Sequence, residues 1–333
     1  MTAKLATSDS SGLVSVVIPT HNCERYIGQT IESVLAQSHR NLEVIVVDDG
    51  SSDRTPEIVG GFGEPVVLTR QSNQRVCAAR NRGFELSRGA YVCFLDHDDY
   101  WFPWKLQRQL DAFAARPESG VVYTAFHRWT PIDALFPEPG GLDPGDPGSC
   151  RFDPEFSGWI YHQFLIDCWA LTSTAMIRRD VFEASERFDT SLPYSEDWDL
   201  WLRLSRTHPF TKIDAVSTLY RQHELQGSRT IRDIDYRTRL LAQARERWGL
   251  TSPDGRGVTA REFERNIAKY HMHYGFDHLR HGSLAQARRA FFRAWRYHPL
   301  QFKYAMLGVA ALTGWMSGTL VKRADQACAH ERT

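Results

Sequence analysis

The strongest constraint on the fold is a recurring pattern in which a short, uncharged run rich in β-branched residues stops abruptly at a polar loop and gives way to a helix-spaced segment. Val14 to Ile18 is the first such run and ends in Pro19-Thr20-His21-Asn22. Strands buried on both faces of a parallel sheet read as continuous apolar runs rather than as alternations, so this run is expected inside such a sheet. Ile27, Ile31, Val34 and Leu35 follow at helical spacing, and the pattern stops at Gln37-Ser38. Val44 to Val47 predicts a second strand, running into Asp48-Asp49-Gly50-Ser51-Ser52. Val66 to Leu68 predicts a third, Ala78 to Leu86 a helix, and Tyr91 to Leu95 a fourth strand ending in Asp96-His97-Asp98-Asp99. This β-α-β-α-β order predicts an α/β fold with a doubly wound, mostly parallel central sheet flanked by helices.

Segment 131 to 158 is crowded with Pro, Gly and Asp, which predicts a long loop able to cover a site. Beyond it, Thr172 to Arg178 predicts a strand and Trp198 to Leu204 a helix that opens with Ser195-Glu196-Asp197, its acidic residues at the end where the helix dipole favours negative charge. From about Asp233 the strand signals cease and Arg-rich helical patterns take over. The expected layout is a polar tail over 1–10, an α/β domain over 11–230 and a C-terminal all-helical module over 231–333. Within that module Gly275, Ala287, Phe291, Ala294 and Pro299, with Gly282 at a turn, fall at the spacing of one tetratricopeptide-type hairpin. A single copy is too few for a free-standing solenoid, so the hairpin is expected to pack on the catalytic domain.

Composition excludes several classes. At 42% hydrophobic and 24% charged residues the chain can bury a core and is not expected to be disordered. Forty basic and forty acidic side chains balance, so no long-range field draws nucleic acid. The six cysteines form no CxxC pair, which argues against a structural zinc site or a disulfide framework and fits a reducing cytoplasm. Met1 to Ser11 lacks the basic-then-apolar pattern of a signal peptide, so export by that route is not expected. Tyr304 to Val321 is uncharged between Lys303 and Lys322 but contains three glycines. It reads either as a packed helix or as a segment in peripheral contact with the inner face of a membrane.

Two acidic clusters at the carboxyl ends of successive parallel strands stand where open α/β sheets bind ligands. Asp48, Asp49, Asp96, Asp98 and Asp99 are therefore expected to converge, and their mutual repulsion in a poorly solvated cleft calls for a counter-charge. Hard carboxylate ligands suit Mn²⁺ or Mg²⁺, which join one or two of them to substrate phosphates. The competing reading is two acidic turns that merely cap helices and loops. No GxGxxG follows the first strand and no GxxxxGK[ST] occurs, which removes the main support for a dinucleotide-dependent dehydrogenase or a P-loop enzyme. A nucleotidyltransferase is disfavoured by the lack of a glycine-rich, basic N-terminal loop.

Taken together, Val14-Ser15-Val16-Val17-Ile18-Pro19-Thr20-His21-Asn22, Val46-Val47-Asp48-Asp49-Gly50-Ser51-Ser52-Asp53, Ala78-Ala79-Arg80-Asn81-Arg82-Gly83 and Phe94-Leu95-Asp96-His97-Asp98-Asp99 resemble, in order and spacing, the family 2 glycosyltransferases of GT-A fold. The resemblance extends from about Ser11 to Ser228 and leaves the helical remainder uncovered. It implies a metal-dependent inverting transfer of sugar from a nucleotide-diphosphate donor, a UDP-sugar first, to a hydroxyl of a carbohydrate, lipid-linked or protein acceptor in polysaccharide, glycolipid or glycoprotein assembly. On this resemblance Pro19, Thr20 and Asn22 border the nucleobase pocket, and Asp49, with Asp48 beside it, contacts the base. Asp96 and Asp98 match the DxD motif, Asp96 facing ribose and Asp98 the metal.

Arg75 lies where a basic group reaches the diphosphate; Arg80 either does the same or braces its helix against the sheet. Ser195-Glu196-Asp197-Trp198-Asp199-Leu200-Trp201 resembles the family's ED motif, with Asp197 as the catalytic base. Arg221-Gln222-His223, with Ser228 beyond, resembles a later segment in which His223 approaches the metal or the diphosphate, the alternative being a packing histidine. Trp159, Trp169, Trp198 and Trp201 offer either stacking faces for a sugar or core, with Trp201 assigned to the core. The alternative function is a catalytically silent binding or scaffold protein acting through its helical tail.

Overall fold

The computed structural model describes residues 12–132, 135–224, 226–299 and 306–307. The 1–10 tail lies outside the described residues, as do the Ser228 side chain and, apart from residues 306 and 307, the 304–321 segment. Two compact units are present: the first ends at Glu224 and also takes in Ser252–Arg256, and the second comprises Leu225–Thr251 and the chain from Gly257 onward.

In the first unit the elements follow as β1 (Val14–Thr20), α1 (Ile27–Leu35), β2 (Leu42–Asp48), α2 (Thr55–Gly60), β3 (Val66–Arg70), α3 (Arg75–Leu86), β4 (Tyr91–Phe94), β5 (Tyr100–Trp101), α4 (Lys105–Ala115) and β6 (Val121–Trp129). Then come α5 (Tyr161–Phe164), β7 (Met176–Arg178), α6 (Arg179–Ala184), α7 (Glu196–Leu204) and β8 (Phe210–Arg221). One eight-stranded sheet runs in the order β3-β2-β1-β4-β7-β6-β8-β5. Its first four strands are parallel, as are β6 and β8, whereas β7 runs antiparallel to both β4 and β6 and β5 antiparallel to β8. The fold is thus the expected α/β sheet with flanking helices, but mixed in its second half.

Strand alternation explains why both faces are covered. Val14, Val16, Ile18, Val44 and Val46 share a buried cluster with Ile27, Ile31 and Val34 of α1 and with Leu106 and Phe113 of α4. Ile45 and Val47, pointing the other way, pack on Ala79 of α3. Helix α3 comes closest at Gly83, where an added Cβ would lie 2.2 Å from Cγ1 of Val17. The expected strand over 172–178 is shorter: Thr172–Thr174 form a 3₁₀ turn and only Met176–Arg178 pair in the sheet. The described residues of the 131–158 segment are irregular apart from a 3₁₀ turn at Pro139–Gly141 and isolated bridges.

The second unit contains α8 (Tyr236–Trp248), α9 (Ala260–His281) and α10 (Leu284–Tyr297). Thr259 begins α9 with a reciprocal capping box to Glu262. Ala268, Met272 and Phe276 of α9 bury against Ala287, Phe291 and Ala294 of α10, and Gly275 leaves room for the Phe291 ring. Among the described residues no helix is long and apolar enough to cross a membrane.

Because Gly83 sits within a helix packed directly on β1, overpacking there is felt at once. Gly83→Ala is expected to lower unfolding free energy by about 1–3 kcal/mol. Denaturant titration at unchanged m-value reads this, and a midpoint equal to or above that of the parent protein would contradict the packing described.

Candidate active site

The loops after β1, β2 and β4 meet because their strands are adjacent and parallel. Thr20 pairs with Asp48, the Asp49 amide donates to the Thr20 carbonyl at 2.8 Å, and the Leu95 amide donates to the Val17 carbonyl at 2.9 Å. The chain continues from β1 to β2 on one side and reaches β4 on the other, so the loops after β1 and β4 flank the topological switch point where open sheets bind ligands. Pro19 and Thr20 are buried at the end of β1, and Asn22 is exposed beyond them. Asn22 ties two loops together, its amide donating to Ser51 Oγ and its Oδ1 accepting from the Ser52 amide, both at 2.9 Å.

Each of the five aspartates has a protein partner of its own. Asp48 is fully buried, accepting from Arg70 Nε at 2.8 Å and from the Ser51 amide. It shapes the loop from within rather than presenting a carboxylate to the cleft. Asp49 accepts the Gln74 and Arg75 amides at the start of α3, at 2.8 and 2.7 Å, together with Gln71 Nε2. A carboxylate has about four acceptor positions, so Asp49 Oδ2 retains one. Arg75 itself is exposed, with a left-handed backbone at φ 74°.

Arg80 braces rather than reaches outward. Its Nη2 donates to Asp96 Oδ1 at 2.6 Å and its Nη1 to Glu196 Oε1 at 2.8 Å, so one buried guanidinium joins the end of β4 to the start of α7. Its side chain is 3% exposed and lies over the Phe188 ring. Asp197, next to Glu196, is brought into the same field. Burial first, then the Glu196 charge, push its carboxyl up to about 7, with Arg80 opposing. Thr172 Oγ1 approaches Asp197 Oδ2 at 3.4 Å, and the neighbouring Ser173 Oγ accepts the Asp96 amide while donating to Asp99 at 2.6 Å. The short 172–174 turn therefore links Asp197 to the β4 loop.

Asp98 and Asp99 are driven in opposite directions. Burial raises the Asp98 carboxyl, but the hydrogen bond from His223 and the charges of His97 and His223 leave it below the usual range. Burial and the charges of Asp98 and Asp96 hold Asp99 well above that range. Adjacent carboxyls are thus pushed apart in acidity, Asp98 the more acidic of the two. His223 Nε2 lies 2.8 Å from Asp98 Oδ2. Arg221 locks this corner: its Nε donates to the Asp98 carbonyl at 2.6 Å, its amide to Asp99, and its guanidinium sits 4.0 Å from the Trp129 ring centroid, with Tyr26 and Phe136 also around it.

No group of three or more His, Cys, Asp or Glu side chains placed to hold an ion occurs among the described residues. The Asp98–His223 pair nevertheless suits Mn²⁺ or Mg²⁺, since such ions commonly take one or two protein ligands and complete their shell with substrate phosphates and water. Trp198 and Trp201 are core residues, Trp198 Nε1 donating to the Phe164 carbonyl, while Trp169 is 37% exposed against Phe156. Arg70, His97, Ser173 and Arg221 are the site residues that sequence reasoning left without a role. Arg70 ends β3 and is reachable by the same strand-end rule; Ser173 lies in the 3₁₀ turn before β7, where no local pattern marks it, and Arg221 ends β8, in the segment whose resemblance pointed to His223.

Residues 15–134 match the family model described as glycosyl transferase family 2. An uncharacterized glycosyltransferase of Rickettsia typhi is 29% identical over 258 residues, covering 76% of this chain and 74% of its own. The UDP-Glc:alpha-D-GlcNAc-diphosphoundecaprenol beta-1,3-glucosyltransferase WfaP of Escherichia coli is 29% identical over 221 residues, covering 63% and 78%. Other relatives are matched over less than two-thirds of their length, 63% and 31% for two of them. The solved structure of S. aureus TarS 1-349 in complex with UDP-GlcNAc superposes with a TM-score of 0.57 at 18% identity, covering 90% of this chain and 87% of that one, which shows a shared GT-A-type fold.

Removing Arg80 would leave Asp96 and Glu196 facing each other with no cation between them. Arg80→Ala is expected to cost about 3–5 kcal/mol of stability, as loss of one member of a buried ion pair does. Chemical denaturation measures it, and a loss under about 1 kcal/mol, the range of exposed pairs, would remove the bracing role.

Proposed function

We propose that this chain is a family 2 glycosyltransferase that transfers a sugar from a UDP-sugar to an acceptor hydroxyl with inversion at the anomeric carbon, using Asp197 as general base and a divalent cation held by Asp98 and His223. The observation that carries the proposal is the Asp197 carboxyl pushed up to about 7 and tied through the Arg80 bridge and the 172–174 turn to the loop bearing Asp98. A base with that value is about half ionised at neutral pH and basic enough to accept a proton. WfaP is named for UDP-Glc and a lipid-diphosphate acceptor, and TarS was solved with UDP-GlcNAc. Both support a uridine diphosphate donor; WfaP favours a lipid-linked acceptor in polysaccharide assembly.

The residues divide the work by position. Pro19, Thr20 and Asn22 border the base, and the remaining acceptor position of Asp49 takes the uracil imide N–H. Asp96, fixed by Arg80, faces the ribose. Arg75, exposed at the amino end of α3, reaches the diphosphate together with the helix dipole. The acceptor oxygen attacks the anomeric carbon from the face opposite the nucleotide. Its proton passes to Asp197, and the electrons of the breaking anomeric C–O bond go to the departing diphosphate. When bound, the cation stabilises charge gathering on that diphosphate.

Asp197→Asn tests the base. With Mn²⁺ and a panel of UDP-sugars, transfer is expected to fall by about 10²–10⁴-fold while donor affinity is kept. Unchanged transfer would sink the assignment, and absence of binding or turnover across the whole panel in the parent protein would favour the scaffold reading. The pH profile gives an independent check. Because the base works only when ionised, kcat is expected to drop tenfold per unit as pH falls below about 7 and to level off above it. A profile flat down to pH 5 excludes a raised carboxyl as the base.

A further inference from the structure

The helical unit holds a cavity of about 820 Å³ between α8, α9 and α10, within the size range of small-molecule sites. Four arginines line it, Arg239 from α8 and Arg289, Arg293 and Arg296 from α10. The last three are at i, i+4 and i+7, so they share one helix face over roughly 10 Å. All four are exposed, and none of their guanidinium groups has a hydrogen bond or ion pair among the described residues. The two carboxylates in the lining do not offset them. Asp235 is engaged by His271 Nδ1 at 2.9 Å and caps α8 through the Thr238 amide, and Asp233 is exposed at the rim.

A second feature points to a ligand. Tyr274 lines the same cavity, and its buried hydroxyl has no hydrogen-bond partner among the described residues. Buried polar groups are seldom left unsatisfied, and one that stays so in a cavity is a donor waiting for an acceptor. Tyr297, 40% exposed and stacked near His271, adds an apolar ring face. Arginine forks match phosphate oxygens bidentately, and four of them converging on one cavity repel one another until a multiply charged anion enters.

We infer that this cavity is a second ligand site, independent of the transferase cleft, that binds a ligand bearing two or more phosphate charges. Two sources share that chemistry, a free polyphosphate and the phosphates of a glycan, and Tyr297 supplies a face suited to a sugar ring in the second case. The site is contained within the helical unit, so its occupancy is measurable whether or not the transferase assignment holds.

Isothermal titration of the full chain with pyrophosphate, with a phosphate-bearing oligosaccharide and with the same oligosaccharide lacking phosphate tests this. At least one phosphorylated probe is expected to bind, with affinity falling as salt rises. The paired variant R289A/R293A is expected to weaken binding by about tenfold or more. R239Q, on another helix, should weaken it as well and covers the case in which the paired variant folds poorly, which its melting temperature reports. The tighter of the two phosphorylated probes identifies the source. No binding by either, equal binding of the neutral oligosaccharide, or undiminished binding in both folded variants would overturn the inference.

Discussion

The cleft depends on one buried cation. Arg80 projects from α3 and is held on one side by Asp96 at the end of β4 and on the other by Glu196 at the start of α7. Neither carboxylate is fully buried, at 28% and 14% exposure, so both retain some solvation while the guanidinium at 3% has little. Without that guanidinium the two acidic segments would repel each other across a poorly solvated gap. With it, segments a hundred residues apart in sequence are fixed as opposite walls of one site. A pair of this kind contributes less to net stability than to geometry, because desolvation offsets much of the Coulomb attraction.

The same economy governs the remaining acids. A cleft with many carboxylates stays folded only if most are neutralised or committed to donors, and here each has its own solution. Asp48 has Arg70, Asp49 has the first amides of α3, and Asp99 accepts from Ser173 and the Arg221 amide. What remains chemically free is small: the Asp98–His223 pair and Asp197. Under the proposed function, that separation would let Asp98 serve as a ligand and Asp197 as a base. Only the sequestering of their neighbours makes those two distinguishable.

The parallel half of the sheet was legible because its strands are buried on both faces and read as unbroken apolar runs. Val14 to Ile18, Val44 to Val47 and Tyr91 to Leu95 each fall within a residue or two of an observed strand. The antiparallel half carries no such signature. A hydroxyl-bearing stretch, Thr172 to Thr174, reads as strand but forms a turn, since its hydroxyls find partners in Asp197, Asp99 and the Leu171 carbonyl instead of the sheet. The acidic positions of the site were likewise visible from their strand-end placement, but not their pairing. That pairing is set by Arg70, Ser173 and Arg221, whose relation to the aspartates exists only once β3, β7 and β8 have taken their places in the sheet. Sequence spacing shows which residues reach the rim, while topology decides which of them neutralise one another.

Backbone strain marks the same boundary from a different direction. Four non-glycine residues among those described have left-handed backbones, and three of them, Asn22, Arg75 and Ser195, begin or border the segments that build the cleft. Such conformations cost about 1–3 kcal/mol each and survive only where surrounding contacts over-determine them. Those contacts are present for Asn22, whose side chain and amide are both anchored to the 51–52 turn, and for Arg75, whose amide is taken by Asp49. At Ser195 the left-handed residue precedes the first turn of α7, which sets the direction from which Glu196 and Asp197 approach the sheet. A chain selected for stability alone would relax these positions with glycine. Ordinary side chains stand at these positions, so the surrounding contacts hold the cleft's backbone in this shape without a ligand.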